Sequence, residues 1–288
     1  MAAGVLLAGA FAGASAPGAE GAASGGTTTR VSVSSTGQQA DAASFLFDPA
    51  ISGDGRYVAF VSFASDLPAG DTNGVADIFL RDRWSGVTRR VSVGPSSRQP
   101  DGASDQPSIS ADGRFVTYSS RASNLVDGDT NDAGDVFVRD RWTGVTQLVS
   151  VGPDALQAND GSGGPVISRN GRYIALGSAA SNLVAGDTND LSDIFISDRT
   201  AGVTRRLSIS TAGEQTLPSP FYLGSSGPAA ISADGHHVAF LSSASNLVPD
   251  DTNNDYDVFL RDEARGRLDA RPTAKSLLSK SRPTRSQP

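Results

Sequence analysis

The stretch ISGDGRYVAFVSFASDLPAGDTNGVADIFLRDRWSGVTRRVSV, residues 51–93, is written four times along the chain. It begins again at Ile109, at Ile167 and, with more changes, at Ile231, so the copies start 58, 58 and 64 residues apart. A fixed period of this length is typical of repeated supersecondary units, none of which buries its apolar faces alone. The fold therefore follows from the structure of one unit and from the packing of successive units.

Each copy contains four strand-like runs separated by turn residues. In the first copy the runs are 49–52, 56–62, 77–83 and 88–93, and Asp54-Gly55 is a favoured hairpin turn. The run 56–62 is apolar on both of its alternating faces, which is typical of a strand enclosed between stacked sheets. We interpret the unit as a four-stranded antiparallel meander, which is one blade of a β-propeller.

The strand count predicts an all-β fold, a β-propeller of four blades closed into a ring. The repeats lie near 49–93, 107–151, 165–209 and 228–266, and the register fails after Gly266. A further copy of the outer strand, 27–33, precedes them, and we expect it to complete the fourth blade and remove an exposed edge. The alternative is an arc cut from a larger propeller. The predicted propeller spans 27–266, followed by a basic disordered tail at 267–288.

Composition and charge narrow the classes of partner. The net charge is −7, although residues 264–288 alone hold seven basic residues and one acidic residue, so the propeller itself is strongly acidic. An acidic surface repels phosphate backbones, which argues against nucleic acid as a partner. The chain contains no cysteine, which excludes disulfides and zinc–thiolate sites.

Residues 1–26 form an apolar, small-residue leader. It resembles a signal peptide with a cleavage sequence at Ala14-Ser15-Ala16, and the alternative is a disordered Ala/Gly segment. The apolar run is too short to span a bilayer, so no membrane span is expected. The sequence therefore predicts an extracytoplasmic protein, either secreted, periplasmic or associated with the cell wall.

Two stretches of the second copy carry a family resemblance. PSISADGRFVTYSS (107–120) and DVFVRDRWTGVTQLVSV (135–151) resemble the WD-repeat-like propeller repeats of the TolB translocation protein family and of prolyl oligopeptidase propellers. The pattern ASNLVxGDTNxxxDVFVRD is similar to that of exported TolB-like propeller proteins of high-GC bacteria. The resemblance covers about 27–266 and implies blades; for TolB-type proteins it implies periplasmic protein–protein binding, although no binding residues can be matched.

A second motif, Asp-x-Asn-x-x-x-Asp, lies between the second and third strands of every copy. Oxygen-bearing side chains at positions one, three and seven resemble a calcium loop, and an acidic residue recurs at position twelve. Position five is apolar in three copies, and the alternative is that Asp and Asn form Asx-turns. No cofactor is required on either view. The calcium candidates are Asp71, Asn73, Asp77, Asp129, Asn131, Asp135, Asp187, Asn189, Asp193, Asp251, Asn253 and Asp257.

The fourth copy departs from the other three in two places that we expect to be neighbours. Its connector carries six extra residues, within 214–227, and its acidic loop is the richest of the four. We expect aromatic and carboxylate groups to share one rim there, although a tolerated loop insertion explains the same departure. The candidate ligand-binding residues are Phe221, Tyr222, Asp250, Asp251, Asn253, Asp255 and Asp257.

These observations favour an exported, non-enzymatic binding module for a protein, peptide or glycan ligand on its acidic loop face. The alternatives are a calcium-stabilised structural or cell-surface module and a propeller-based hydrolase or lyase. Catalysis finds little support, because His236 and His237 are adjacent in one hairpin and no nucleophile-elbow pattern is present. A glutamine recurs in all four copies (Gln39, Gln99, Gln157, Gln215), and we expect it to bond the backbone rather than a ligand.

Overall fold

The computed structural model describes residues 26–44, 49–68, 70–218, 227–253, 255–263 and 267–271. The chain divides into two units, Met1–Arg30 and Val31–Pro288, and the sheets lie in the second. Among the described residues, no helix is long and apolar enough to cross a membrane. The described strands are β1 Ala50–Ile51, β2 Tyr57–Ser62, β3 Asp77–Asp82, β4 Val87–Arg90, β5 Ser104–Ile109, β6 Phe115–Ser120, β7 Asp135–Asp140, β8 Val145–Leu148, β9 Ser162–Ile167, β10 Tyr173–Ser178, β11 Asp193–Asp198, β12 Val203–Arg206, β13 Gly227–Ile231, β14 His237–Ser242, β15 Asp257–Asp262 and β16 Arg267–Arg271. Two short 3-10 helices, Pro95–Ser97 and Pro153–Ala155, follow β4 and β8.

Four consecutive strands form each sheet, in chain order and antiparallel throughout. The two middle strands of a sheet pair along their whole length, from Tyr57 opposite Asp82 to Ser62 opposite Asp77 in the first. The four strands of a sheet follow one another along the chain, so each blade forms from neighbouring sequence. The predicted all-β propeller of four-stranded antiparallel blades is confirmed.

The blades pack face to face in chain order. Ala59 and Ile78 of the first blade lie in one buried cluster with Val116, Tyr118 and Phe137 of the second. Equivalent clusters join the second blade to the third and the third to the fourth. The hydrophobic core is therefore divided among the interfaces between blades, as a repeat array requires.

Each interface also contains an aromatic ring pressed against a turn of the following blade. A Cβ on Gly113 (φ +68°), in the Asp-Gly turn of the second blade, would overlap the ring of Tyr57. The guanidinium of Arg141, from the same blade as Gly113, lies 4.0 Å from the centroid of that ring, and Arg56 lies 4.7 Å from it. The same overlap would occur between Gly171 and Phe115. Glycine is thus required where successive blades touch.

The expected closure by the N-terminal strand is wrong. The strand beside β15 is β16, Arg267–Arg271, so the fourth blade takes its outer strand from residues assigned to the tail. A hairpin across a short connection costs less chain entropy than a pairing across the whole sequence, and backbone pairing needs no particular side chain. The predicted boundary at 266 therefore moves to Arg271; residues 272–288 and 1–25 lie outside the described residues.

Residues 31–40 lie beside the first blade instead. The Thr88 hydroxyl donates to the carbonyl of Val33 at 2.5 Å. Thr146 makes the same bond to Val93, at 2.7 Å, where the end of the first repeat crosses to the second blade. Beside a later blade, this position is taken by the end of the preceding repeat. Beside the first blade, residues 31–33 take it instead.

One face of the fourth blade remains open. Leu241 and Val258 are 43% and 41% exposed, whereas Ile78 and Val136, at the position of Val258 in the first two blades, are each 0% exposed. Among the described strands, those of the first blade do not pack against this face in the way that consecutive blades pack against each other. The described strands therefore form four blades, with no close packing of the first blade against the fourth among them.

Candidate functional site

Hydrogen bonds within the chain hold each acidic motif in a turn. In the first blade, the Asn73 amide donates to Asp77 Oδ2 at 2.9 Å, and Asn73 Oδ1 accepts from the Val75 N–H at 3.3 Å. Asp77 Oδ1 accepts from the Ser92 hydroxyl at 2.6 Å, which ties the loop to the segment after the outer strand. The other blades repeat the amide–carboxylate bond. The Asx-turn interpretation of this motif is confirmed.

In two blades an arginine occupies the position that a cation would take between the carboxylates. Arg90 lies 3.1 Å from Asp71 and 3.5 Å from Asp77 in the first blade. Arg206 lies 2.8 Å from Asp187 and 3.2 Å from Asp193 in the third. Both guanidiniums are more than nine-tenths buried, so in each of these blades a positive charge of the chain itself lies between the two carboxylates.

The second blade replaces that arginine with Leu148, which is the residue opposite Phe137. The Gln157 amide donates instead to Asp129 at 2.7 Å and to Asp135 at 3.0 Å. Burial raises the pKa of Asp135, because desolvation disfavours its charged form.

The fourth blade retains the motif bond, and the Asn253 amide donates to Asp257 at 2.7 Å. Burial, followed by the charge of Asp257, raises the pKa of Asp251. Asp250 and Asp255 are exposed to solvent. Phe221 and Tyr222, the aromatic half of the predicted ligand site, lie outside the described residues.

The acidic residue at position twelve does not belong with the motif. Asp77 and Asp82 stand at opposite ends of β3, about 16 Å apart at 3.3 Å per residue. Asp82 instead accepts two bonds from Arg56, at 2.9 and 2.7 Å, and one from the Trp84 N–H at 3.0 Å. These bonds hold the pKa of Asp82 well below its usual range. Position twelve therefore shapes the next hairpin and supplies no ligand to a calcium loop.

The other calcium candidates stay a prediction. In the part of the chain that the structure describes, no three histidine, aspartate or glutamate side chains gather closely enough to hold a metal ion. Oxygens of the motif could reach a cation in the first and third blades only after displacing Arg90 and Arg206.

The recurring glutamine bonds the backbone of the acidic loop, as predicted. Gln99 Oε1 accepts from the Thr72 N–H at 3.0 Å, and its amide donates to the Gly70 carbonyl at 2.7 Å. Gln215 makes the same pair of bonds, at 3.1 and 2.9 Å. The glutamines are therefore part of the scaffold.

A cleft of about 740 Å³ lies between the outer parts of the first and second blades. We call it the rim cleft. Apolar side chains form part of its walls, and four arginines and one aspartate line it: Leu80, Val87, Val91 and Val93, with Arg89, Arg90, Arg139 and Arg141, and Asp82. The junction of the second and third blades has a smaller cleft of about 200 Å³, where Gln147, Leu148 and Ser197 stand in place of three of the arginines and only Arg199 is retained.

Arg139 and Arg141 of the rim cleft are held in place by neutral groups. Arg139 Nη1 donates to the Thr146 hydroxyl at 3.0 Å and to the Val93 carbonyl at 3.5 Å. Burial lowers the pKa of Arg139, because its charge is removed from water. Arg141 donates to the Gly113 carbonyl and covers the Tyr57 ring. The rim cleft is therefore a pre-formed, basic and partly apolar space.

Sequence reasoning missed the rim cleft. It considered the acidic loops, whereas the cleft is formed by side chains of two neighbouring blades that are far apart in sequence. A signal was present in the repeats, since Arg89-Arg90 of the first copy recurs as Arg205-Arg206 but becomes Gln147-Leu148 in the second.

No protein-family model matches the chain, and no curated protein matches it in sequence. Solved structures similar to it include TolB from Acinetobacter baumannii, with 18% identity, a TM-score of 0.44 and coverage of 82% of this chain and 44% of that one. Oligogalacturonate lyase from Vibrio parahaemolyticus is 10% identical with a TM-score of 0.46, and 79% of this chain covers 53% of it. The propeller domain of the Trilobed protease from Pyrococcus furiosus is 14% identical with a TM-score of 0.44, covering 79% and 57%.

The chain spans about half the length of these structures. The assignment of the fold rests on the four sheets and their packing. The chain has a β-propeller fold of four-stranded blades, and the structures similar to it include TolB proteins.

Proposed function

We propose that this chain is an exported, non-enzymatic binding module for a protein, peptide or glycan, and that its ligand enters the rim cleft. The observation that supports this most is the cleft itself, which has the volume of a ligand site and combines apolar walls with a few placed charges. Two of its arginines, Arg139 and Arg141, are positioned by hydrogen bonds before any ligand arrives. A pre-formed site spends less binding energy on ordering its side chains.

The chemistry of the cleft favours anchoring over bond cleavage. Guanidiniums stay charged at any physiological pH, so they attract and orient anionic groups without exchanging protons. The signal-peptide resemblance of the leader supports the exported location. The acidic loop of the fourth blade, with Asp250 and Asp255 exposed, stays a second candidate surface for the same function.

A steric block tests the proposed site. Val87→Trp places an indole in the rim cleft, and Val145→Trp places the same group at the equivalent position of the second blade, where Val145 is exposed. Both variants and the wild type are screened against a peptide array and a glycan array. We expect a ligand that binds the wild type and Val145→Trp but not Val87→Trp. A ligand that binds all three equally would move the function away from the cleft.

A further inference from the structure

The junction of the third and fourth blades contains a carboxylate held between two arginines. Arg205 Nε lies 3.1 Å from Glu263 Oε2, and Arg261 Nε lies 3.1 Å from Glu263 Oε1. Arg205 comes from the outer strand of one blade and Arg261 from the third strand of the next. The chain therefore shows, in its own structure, how two arginines at a blade junction bind one carboxylate.

The rim cleft contains the same two arginines, and the one carboxylate that lines it, Asp82, is already bonded to Arg56. Arg89 occupies the position of Arg205 in the repeat, and Arg139 that of Arg261. Arg261 Nη1 lies 3.4 Å from the Ile209 carbonyl, just as Arg139 Nη1 lies 3.5 Å from the Val93 carbonyl, so the two side chains are held alike.

The position of Glu263 is taken by an arginine in the rim cleft. Arg141 stands there, and its guanidinium turns to the Gly113 carbonyl and the Tyr57 ring. Within the described part of the chain, no ion pair joins Arg89 or Arg139 to a carboxylate. The rim cleft thus has both arginines of the arrangement but no carboxylate at the position of Glu263.

We propose that the rim cleft binds an acidic peptide segment, with one glutamate or aspartate carboxylate of the ligand between Arg89 and Arg139, where Glu263 lies in the other junction. This inference rests on the proposed function and names the ligand class for that site. The half-buried position of Arg139 strengthens the ion pair, because charges screened from water attract each other more strongly than charges on an open surface.

The walls of the cleft favour a peptide over an acidic glycan. Aliphatic side chains such as Leu80 and Val87 line the cleft beside β4, and none of the described lining residues is aromatic. Sugar rings bind best where an aromatic ring can stack on them, whereas aliphatic walls suit the side chains of an extended peptide. β4 runs for four residues, about 13 Å, which is enough for a segment of similar length to lie along it.

Fluorescence anisotropy with a labelled peptide tests the proposal. The probe is a fluorescein-labelled octapeptide of alternating glutamate and valine; its glutamine counterpart and a labelled tetragalacturonate are the comparison ligands. Arg89→Gln is the test variant, because Arg89 is exposed and its loss leaves the sheet intact. Arg205→Gln is the matched control at the junction that carries its own carboxylate.

We expect the glutamate peptide to bind the wild type about 10-fold to 100-fold more tightly than the glutamine peptide, which is the range for a hydrogen bond between charged groups. Arg89→Gln should lose affinity by a similar factor, and Arg205→Gln should bind like the wild type.

Three results would overturn the inference: tetragalacturonate binding in preference to the peptide, equal losses in both variants, or no binding of the glutamate peptide. If Val87→Trp abolishes the binding of an array ligand but Arg89→Gln leaves its affinity unchanged, the proposed function stands and the carboxylate site fails. If no array ligand depends on the cleft, both fail.

Discussion

Replacing Gly113 with alanine tests the contact by which each blade rests on the one before it. A Cβ at Gly113 would overlap the Tyr57 ring, and the residue has a φ of +68°. Gly55 is the matched control, because it has the same turn and a φ of +71°, but the nearest atom to its Cβ would be 3.7 Å away. Among the described residues no aromatic ring lies against the Gly55 turn as Tyr57 lies against Gly113, so only the backbone cost remains.

The two substitutions differ in one physical cost. An alanine in the left-handed backbone conformation costs about 1–2 kcal/mol. The substitution also lowers the entropy of the unfolded chain, which offsets about 0.4–1 kcal/mol of that cost. Gly55→Ala should therefore lower the free energy of unfolding by about 1 kcal/mol. Gly113→Ala adds the cost of overpacking a filled interface, about 1–3 kcal/mol.

Urea denaturation followed by tryptophan fluorescence and far-UV circular dichroism measures the difference. With a slope of about 2 kcal/mol per molar urea, the midpoint of Gly113→Ala should lie about 0.5–1.5 M below that of Gly55→Ala. Gly171→Ala should behave like Gly113→Ala, because its Cβ would overlap Phe115. Equal midpoints for Gly55→Ala and Gly113→Ala would refute the interface described above.

Stability should fall as the pH rises from about 4 to about 6, because burial raises the pKa of Asp77 to about 6 whereas an unfolded aspartate titrates near about 3.9. Across this range the native state keeps a proton that the unfolded state releases, so the urea midpoint should fall less steeply with pH in Asp77→Asn than in the wild type. Identical pH dependences of the midpoint in the two proteins would exclude Asp77 as the source. Val258→Ala should lower the free energy of unfolding by less than about 1 kcal/mol and Val136→Ala by about 1–3 kcal/mol, since the two side chains are 41% and 0% exposed. Equal losses of stability in a melting experiment would show that this face of the fourth blade is covered. Millimolar calcium should leave the melting midpoint unchanged, because Arg90 and Arg206 already lie between the carboxylates of the motif in two blades; a rise of several degrees would support the calcium site instead.

The blade could be predicted from the sequence because everything that forms it is local. The Asp54-Gly55 turn and the two-faced apolar strand that follows it fix one hairpin, and the period repeats it. The completion of the fourth blade could not be predicted in this way. The strand Arg267–Arg271 has little sequence in common with Val87–Arg90. Its pairing depends on backbone hydrogen bonds and on its nearness in the chain to β15, and a pattern of side chains shows neither.

The acidic motif was half predictable. Asp and Asn spacing indicated either calcium or Asx-turns, and the turn contacts of Asn73 are present. The role of Arg90 was hidden, because the strand position of an arginine does not say which loop its long side chain reaches. The rim cleft was hidden for a related reason: Arg89 and Arg139 are 50 residues apart in sequence and meet only when two blades pack.

The exchange of Arg141 for glutamate tests the central claim most directly, because it gives the rim cleft the carboxylate that Glu263 provides at the other junction. The account predicts that Arg141→Glu binds the labelled glutamate peptide at least about tenfold more weakly than the wild type, since the internal carboxylate now lies between Arg89 and Arg139. Because the exchange also removes the contacts of Arg141 with the Gly113 carbonyl and the Tyr57 ring, far-UV circular dichroism is recorded to show that the variant is folded. An Arg141→Glu protein that is folded and binds the peptide with wild-type affinity would contradict the account.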